Sequence, residues 1–181
     1  TIGGNIANGS PIGDTPPILI ALGASITLES IRGARTLPLE DFFIEYGKQD
    51  RAADEVLTEI IVPKLSHSQR FRCFKLAKRY DQDISSVMTG FCFTIEEGKI
   101  VESKLAFGGM AGTPKRATNT EAALRGKTLE EACSLVENLS SDFVPMDDHR
   151  ASADYRMISA QNLLKKALIE LSEEEKVATR L

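Results

Sequence analysis

A chain that carries its strands in one run and its helices in the next has few ways to fold. Val87 to Ile95 places Phe91, Phe93 and Ile95 at period two, and Lys99 to Phe107 resumes a strand pattern after the turn Glu96-Glu97-Gly98. These two segments predict a β-hairpin, and Phe71 to Lys78 supplies a third strand beside it. Everything after Gly108-Gly109-Met110-Ala111-Gly112 reads as helix. Asn119 to Arg125 ends at Gly126, a C-cap signal. Thr128-Leu129-Glu130-Glu131 is a capping box that starts a helix at Leu129. Ser152 caps the longest helix, in which Met157, Ala160, Leu164, Leu168 and Leu171 make one apolar stripe. The segment Ser172-Glu173-Glu174-Glu175 is expected to be a frayed, solvated end. Such segregation predicts an α+β unit, a three-stranded antiparallel sheet with helices on one face.

Ahead of that unit the pattern is α/β. Pro16-Pro17 introduces Ile18 to Leu22, which reads as a short helix ended by Gly23. Ala24 to Leu28 reads as a strand with Ile26 and Leu28 on one face, and Arg32-Gly33-Ala34-Arg35 as a turn. Leu39 to Tyr46, with Phe42, Phe43 and Tyr46 on one side, reads as a short helix stopped by Gly47. Glu55 to Val62 reads as a strand closed by Pro63. The polar residues 64–70 make a boundary between the two parts.

Bulk composition excludes several roles. With 181 residues, 42% hydrophobic and 27% charged, the chain has the make-up of a soluble globular protein. Its 22 basic and 26 acidic residues argue against a nucleic-acid surface, which needs clustered Lys and Arg. No apolar run approaches the roughly 20 residues of a membrane helix, and no signal-peptide pattern is visible. Cys73, Cys92 and Cys133 form no C-x-x-C pair, and His67 and His149 are isolated, so no metal site is expected. Cys92, between Phe91 and Phe93, reads as a buried strand thiol, and an unframed odd cysteine count fits a reducing cytoplasm.

The strongest site candidate is the opening run, Thr1 to Asp14. Closely spaced glycines allow close approach of backbone to a ligand, and successive N–H groups make an anion-binding concavity. Gly3, Gly4 and Asn5 offer backbone donors, Asn8 and Ser10 side-chain donors, and Asp14 an acceptor. The run matches neither the Rossmann nor the P-loop fingerprint, and composition alone leaves a surface turn equally open. Lys75, among apolar strand neighbours, needs an anion, a carbonyl or solvent. Lys78 to Asp83 reads as a solvated loop, Gly108 to Gly112 as a structural turn, and Asp147-Asp148-His149 as a solvated helix entry. No nucleophile–base arrangement stands out among sequence neighbours.

The chain resembles the flavoproteins of the molybdenum hydroxylases, and among them the FAD-binding small subunits of bacterial xanthine dehydrogenases. The resemblance is carried by residues 1–14, Leu37-Pro38-Leu39-Glu40-Asp41-Phe42-Phe43, Phe74-Lys75-Leu76-Ala77-Lys78-Arg79 and Asp83-Ile84-Ser85. It continues in residues 106–117 and in Arg150-Ala151-Ser152-Ala153-Asp154-Tyr155-Arg156-Met157, all in family order. It implies that residues 1–65 are the end of a vanillyl-alcohol oxidase-type FAD domain. Residues 66–181 would then be a carbon monoxide dehydrogenase flavoprotein-like C-terminal domain. By position it implies FAD contacts at Thr1, Ile2, Gly3, Gly4, Asn5, Asp14, Leu57 and Lys75. Asn8 is included too, although relatives commonly carry threonine there. No residue is implied to act as a catalytic acid or base.

The resemblance further implies a cytoplasmic hetero-oligomer. In it, purine is hydroxylated at a molybdenum cofactor on a large subunit, and electrons pass through [2Fe–2S] clusters to FAD and on to NAD. The earlier, pyrophosphate-cradling FAD loop and the iron–sulfur cysteine motifs have no counterpart in the sequence, so a companion segment is expected to supply them. A carbon monoxide, nicotinate or aldehyde hydroxylase would share this layout, and a flavin-free subunit-docking module is the rival of another class.

Overall fold

A computed structural model describes residues 1–172; the expected frayed end at Glu173 to Glu175 lies outside them. In chain order, α1 (Ile2–Ala7) and α2 (Thr15–Ala21) precede β1 (Ser25–Ser30) and β2 (Gly33–Pro38). A 3-10 turn (Leu39–Phe42) leads into β3 (Phe43–Glu45), β4 (Lys48–Gln49) and β5 (Val56–Ile61). The second half holds β6 (Gln69–Ala77), β7 (Ser85–Glu96), β8 (Lys99–Gly108) and β9 (Lys115–Arg116). Helices α3 (Thr118–Leu124), α4 (Leu129–Ala132) and α5 (Ala153–Ser172) follow, with a 3-10 segment (Cys133–Ser141) after α4.

The hairpin forms as its pattern predicts. Glu96 pairs with Lys99, and Glu97 and Gly98 take positive φ values of 50° and 74°, the geometry whose twist matches the two strands. The sheet order is β6-β7-β8-β9, all antiparallel, so a two-residue fourth strand extends the expected three. Period two then sorts the side chains. Val87, Phe91, Phe93, Leu105 and Phe107 face the helices, where Ala160, Leu164, Leu168 and Leu171 of α5 cover them. Phe91–Phe107 and Phe107–Phe143 meet edge-on at 5.3 and 5.2 Å, which adds directional packing to plain burial. Met157, at the start of the stripe, is only partly buried. Thr128 and Glu131 make the predicted capping box, and the Ser152 hydroxyl accepts the Tyr155 N–H at 3.2 Å.

The opposite face of the sheet is covered as well, by α2. Cys92 and Ala106 share a buried cluster with Ile6, Ile20, Ala21, Ile26, Leu28, Leu39 and Phe42. Burial pushes the Cys92 thiol pKa up, as the strand reading of this residue implied. Gly90 lets α2 lie directly on β7, since a Cβ there would sit 2.6 Å from the Pro17 carbonyl oxygen.

Two local expectations fail between residues 32 and 47. Residues 33–35, read as turn, belong to β2, whose pairing with β1 runs from Ser30–Gly33 to Ser25–Pro38. Arg35 is held there by Asp50 at 2.9 Å and Glu55 at 2.7 Å. Leu39 to Tyr46 is not one helix. Its first four residues make a 3-10 turn, then the backbone extends at Phe43, where φ is −96° and ψ 101°. That change of conformation buries both neighbouring rings, Phe42 and Phe43, against the same cluster. Gly47, with φ +73°, turns β3 into β4 instead of stopping a helix.

Candidate functional site

Residues Ile2–Ala7 of the opening run fold as helix α1, where the sequence suggested a glycine-rich concavity or surface turn, and residues 8–14 turn irregularly before α2. Thr1 caps it: its hydroxyl accepts the Gly4 N–H at 3.1 Å and its carbonyl accepts the Asn5 N–H at 3.0 Å. Two of the three backbone donors expected for a ligand are therefore spent inside the helix. The N–H groups of Ile2 and Gly3 remain, pointing out of its first turn. Ile6 anchors the helix in the core, while Ile2 stays 59% exposed. Gly3 faces Leu57 of β5, whose Cδ2 lies 3.7 Å from where a Cβ would stand. The Asn5 side-chain oxygen accepts the hydroxyl of Thr15, the residue after Asp14.

Asp14 and Lys75, 61 positions apart in sequence, meet at 2.6 Å between carboxylate Oδ2 and ammonium Nζ. The other carboxylate oxygen accepts the Ser85 hydroxyl at 2.5 Å. Ser85 was not among the expected site residues; only its place in the family block Asp83-Ile84-Ser85 could have signalled it. The pair is about two-fifths exposed on each side, so it contributes little to stability, about 0–1 kcal/mol for pairs of this kind. Its value lies in placement. Through Asn5–Thr15 and Leu57–Gly3 the structure gathers Thr1, Ile2, Gly3, Gly4, Asn5, Leu57, Asp14 and Lys75 along one strip. Asn8 ends α1, and its backbone carbonyl accepts from Gln49 of β4 at 3.4 Å.

Beside Lys75 a groove of about 730 Å³ is lined by Leu76, Ala77, Arg79, Tyr80, Asp81, Gln82 and Asp83. The Arg79 backbone N–H, aided by the Ile84 N–H and the Arg79 guanidinium, holds the Asp83 carboxyl below its ordinary range. Asp147 and Asp148 make a helix-entry turn, as expected. Asp147 accepts the Ala153 N–H, and Asp148 accepts those of Arg150 and Ala151. Among the described residues no group of three or more His, Cys, Asp or Glu is placed to hold a metal ion.

Partial burial opposes ionisation of Asp148, but those N–H groups and the Arg156 guanidinium outweigh it and bring the pKa from 3.8 to about 2. Its folded pKa is depressed, so its contribution is complete above the unfolded value and is lost as pH falls through the folded one. Asp148→Asn is therefore expected to flatten the stability curve between pH 3.8 and about 2, measured as urea midpoint against pH.

The strip and the groove combine unspent backbone donors and an exposed apolar side chain with the cations Lys75 and Arg79 and the carboxylates Asp14, Asp81 and Asp83. Residues 72–171 match the CO dehydrogenase flavoprotein C-terminal domain, and residues 1–65 match the FAD binding domain in molybdopterin dehydrogenase. The chain belongs to this flavoprotein family of the molybdopterin dehydrogenases. It is 37% identical over 143 residues to the xanthine dehydrogenase/oxidase of Gallus gallus, a match covering 75% of this chain and 10% of that protein. It is 33% identical over 174 residues to the glyceraldehyde dehydrogenase medium chain of Sulfolobus acidocaldarius, covering 95% of this chain and 61% of that one. The fold superposes with a TM-score of 0.87 and 32% identity on a chain of a carbon monoxide dehydrogenase. That enzyme, from Hydrogenophaga pseudoflava, lacks the Mo-pyranopterin moiety of its molybdenum cofactor; 93% of this chain and 59% of that chain are covered. This chain thus spans less than two thirds of the relatives it matches.

Proposed function

We propose that this chain is the FAD-holding part of a xanthine dehydrogenase. It passes electrons from [2Fe–2S] clusters through FAD to NAD, while purine is hydroxylated at a molybdenum cofactor on a partner subunit. One observation carries the site: Asp14 and Lys75, from the segments matched to the FAD binding and C-terminal domains respectively, pair at 2.6 Å beside α1. FAD when bound supplies the redox chemistry, and the protein supplies position and electrostatics. The Ile2 and Gly3 N–H groups offer hydrogen bonds, and Ile2 and Leu57 offer apolar contact. Lys75, steered by Asp14, brings positive charge. Asn8, whose backbone carbonyl accepts from Gln49, is kept among the proposed FAD contacts by its family position. No side chain of this chain is assigned a proton transfer. No helix among the described residues is long and apolar enough to cross a membrane; the cytoplasmic hetero-oligomer is part of the proposal through family resemblance alone.

The likeness to the glyceraldehyde dehydrogenase medium chain over 95% of the sequence supports a second reading, a sister hydroxylase with another substrate. The test uses the purified complex of this chain with its partner subunits. Anaerobic xanthine is expected to bleach the flavin absorbance, and NAD to restore it. Bleaching by an aldehyde or carbon monoxide but not by xanthine selects the second reading. A complex without flavin leaves subunit docking as the role.

A further inference from the structure

Among the described residues Arg156 is the most deeply buried cation, 2% exposed in the first turn of α5. A buried guanidinium demands acceptors, and those it finds are informative. Its Nη1 donates to the carbonyls of Ser86 and of Gly109, the latter at 3.2 Å, and Nη2 donates to Asp148 at 2.7 Å. One side chain thus ties the start of β7 to the exit of β8.

Those two strand ends are also the ones that grip the site segment. Ser85, next to Ser86, gives its hydroxyl to Asp14 at 2.5 Å. Gly109 gives its N–H to the Pro11 carbonyl at 2.8 Å. Residue 11 is therefore held by the backbone of Gly109, which Arg156 fixes, and residue 14 by the side chain of Ser85, the neighbour of the Ser86 that Arg156 fixes. Gly109 is part of the device: its φ is +83°, and a Cβ would stand 2.3 Å from the Ser86 oxygen and 2.8 Å from Arg156 Nη1. Gly109, read from sequence as part of a turn, thus makes room for the guanidinium.

We infer that Arg156 is a positioning residue for the flavin site, fixing the ends of β7 and β8 so that Ser85 and Gly109 hold the Pro11–Asp14 segment and aim Asp14 and Lys75. It touches neither residue of that pair, and it matters to the flavin only if the pair contacts FAD, as proposed above. A lysine at this position keeps the charge but cannot reach three acceptors with one planar fork.

The experiment uses the full-length flavoprotein in its complex. Arg156→Lys, Arg156→Met, Asp14→Asn and the double variant Asp14→Asn/Arg156→Lys are compared with wild type. FAD dissociation constant, visible circular dichroism of the bound flavin and thermal midpoint are read for each. Arg156→Lys is expected to fold, to weaken FAD binding roughly tenfold, and to change the flavin dichroism in the same sense as Asp14→Asn. The double variant is expected to bind FAD no more weakly than Asp14→Asn alone, because both changes act through one carboxylate. Arg156→Met is expected to weaken FAD binding at least as much. If Arg156→Lys lowers only the thermal midpoint and keeps wild-type FAD affinity and dichroism, while Asp14→Asn loses them, Arg156 is structural and the inference fails alone. If Asp14→Asn also leaves both unchanged, the site reading fails and the inference with it.

Discussion

Gly90→Ala is expected to lower the unfolding free energy by about 1–3 kcal/mol, a typical cost of overpacking. The new methyl would stand 2.6 Å from the Pro17 oxygen and 2.9 Å from the Ile18 Cα, both backbone atoms of α2. No flexible side-chain end is there to yield, so the helix itself must lift from β7. Asp14 is the residue immediately before α2, so lifting the helix also moves the carboxylate away from Lys75 and Ser85. The substitution therefore has two readouts: a lower urea midpoint and weaker FAD retention in the complex. Unchanged values of both would mean that α2 does not depend on this close approach.

Glu121→Ala is expected to cost more, about 3–5 kcal/mol, the range for breaking a buried charge pair. One Glu121 oxygen accepts the Leu105 N–H at 2.7 Å and Arg116 Nε at 3.0 Å; the other accepts Arg116 Nη2 at 2.6 Å. The hydrogen bonds from Arg116 to Glu121, against the opposing effect of burial, raise the guanidinium pKa further above its ordinary value. Alanine would orphan a buried strand N–H and, among the described residues, leave the Arg116 guanidinium with Glu40 alone, at 3.0 Å. Replacing Arg116 and Glu121 together with Met and Leu is expected to recover much of the loss, because an apolar pair needs no desolvation. Chemical denaturation of the single and double variants decides it; a Glu121→Ala loss below about 1 kcal/mol would contradict the account.

The half-exposed Asp14–Lys75 pair stands in contrast. Its removal costs little stability, so its effect has to be looked for in binding.

What could be read from sequence was what repeats locally. The hairpin was legible because Phe91, Phe93 and Ile95 alternate and Gly98 permits the tight turn. Helix α5 was legible through its stripe and α4 through Thr128 and Glu131. Strand β2 carried no such mark, because five of its six residues are exposed and no alternation survives. Helix α1 was hidden by Gly3-Gly4, which disfavours helix; it forms because Thr1 caps it and Ile6 is buried beneath it. The site was half legible. Family likeness singled out Asp14 and Lys75 separately, but their contact across 61 positions, and the parts of Ser85 and Arg156, are consequences of tertiary packing.

The measurement that bears most directly on the proposed flavin site is the FAD dissociation constant of the assembled flavoprotein with Asp14→Ala and with Lys75→Ala. Each change removes one partner of a charge-assisted hydrogen bond, and each is expected to weaken FAD binding by roughly tenfold or more while the urea midpoint hardly moves. Wild-type affinity for FAD in both variants would contradict the assignment.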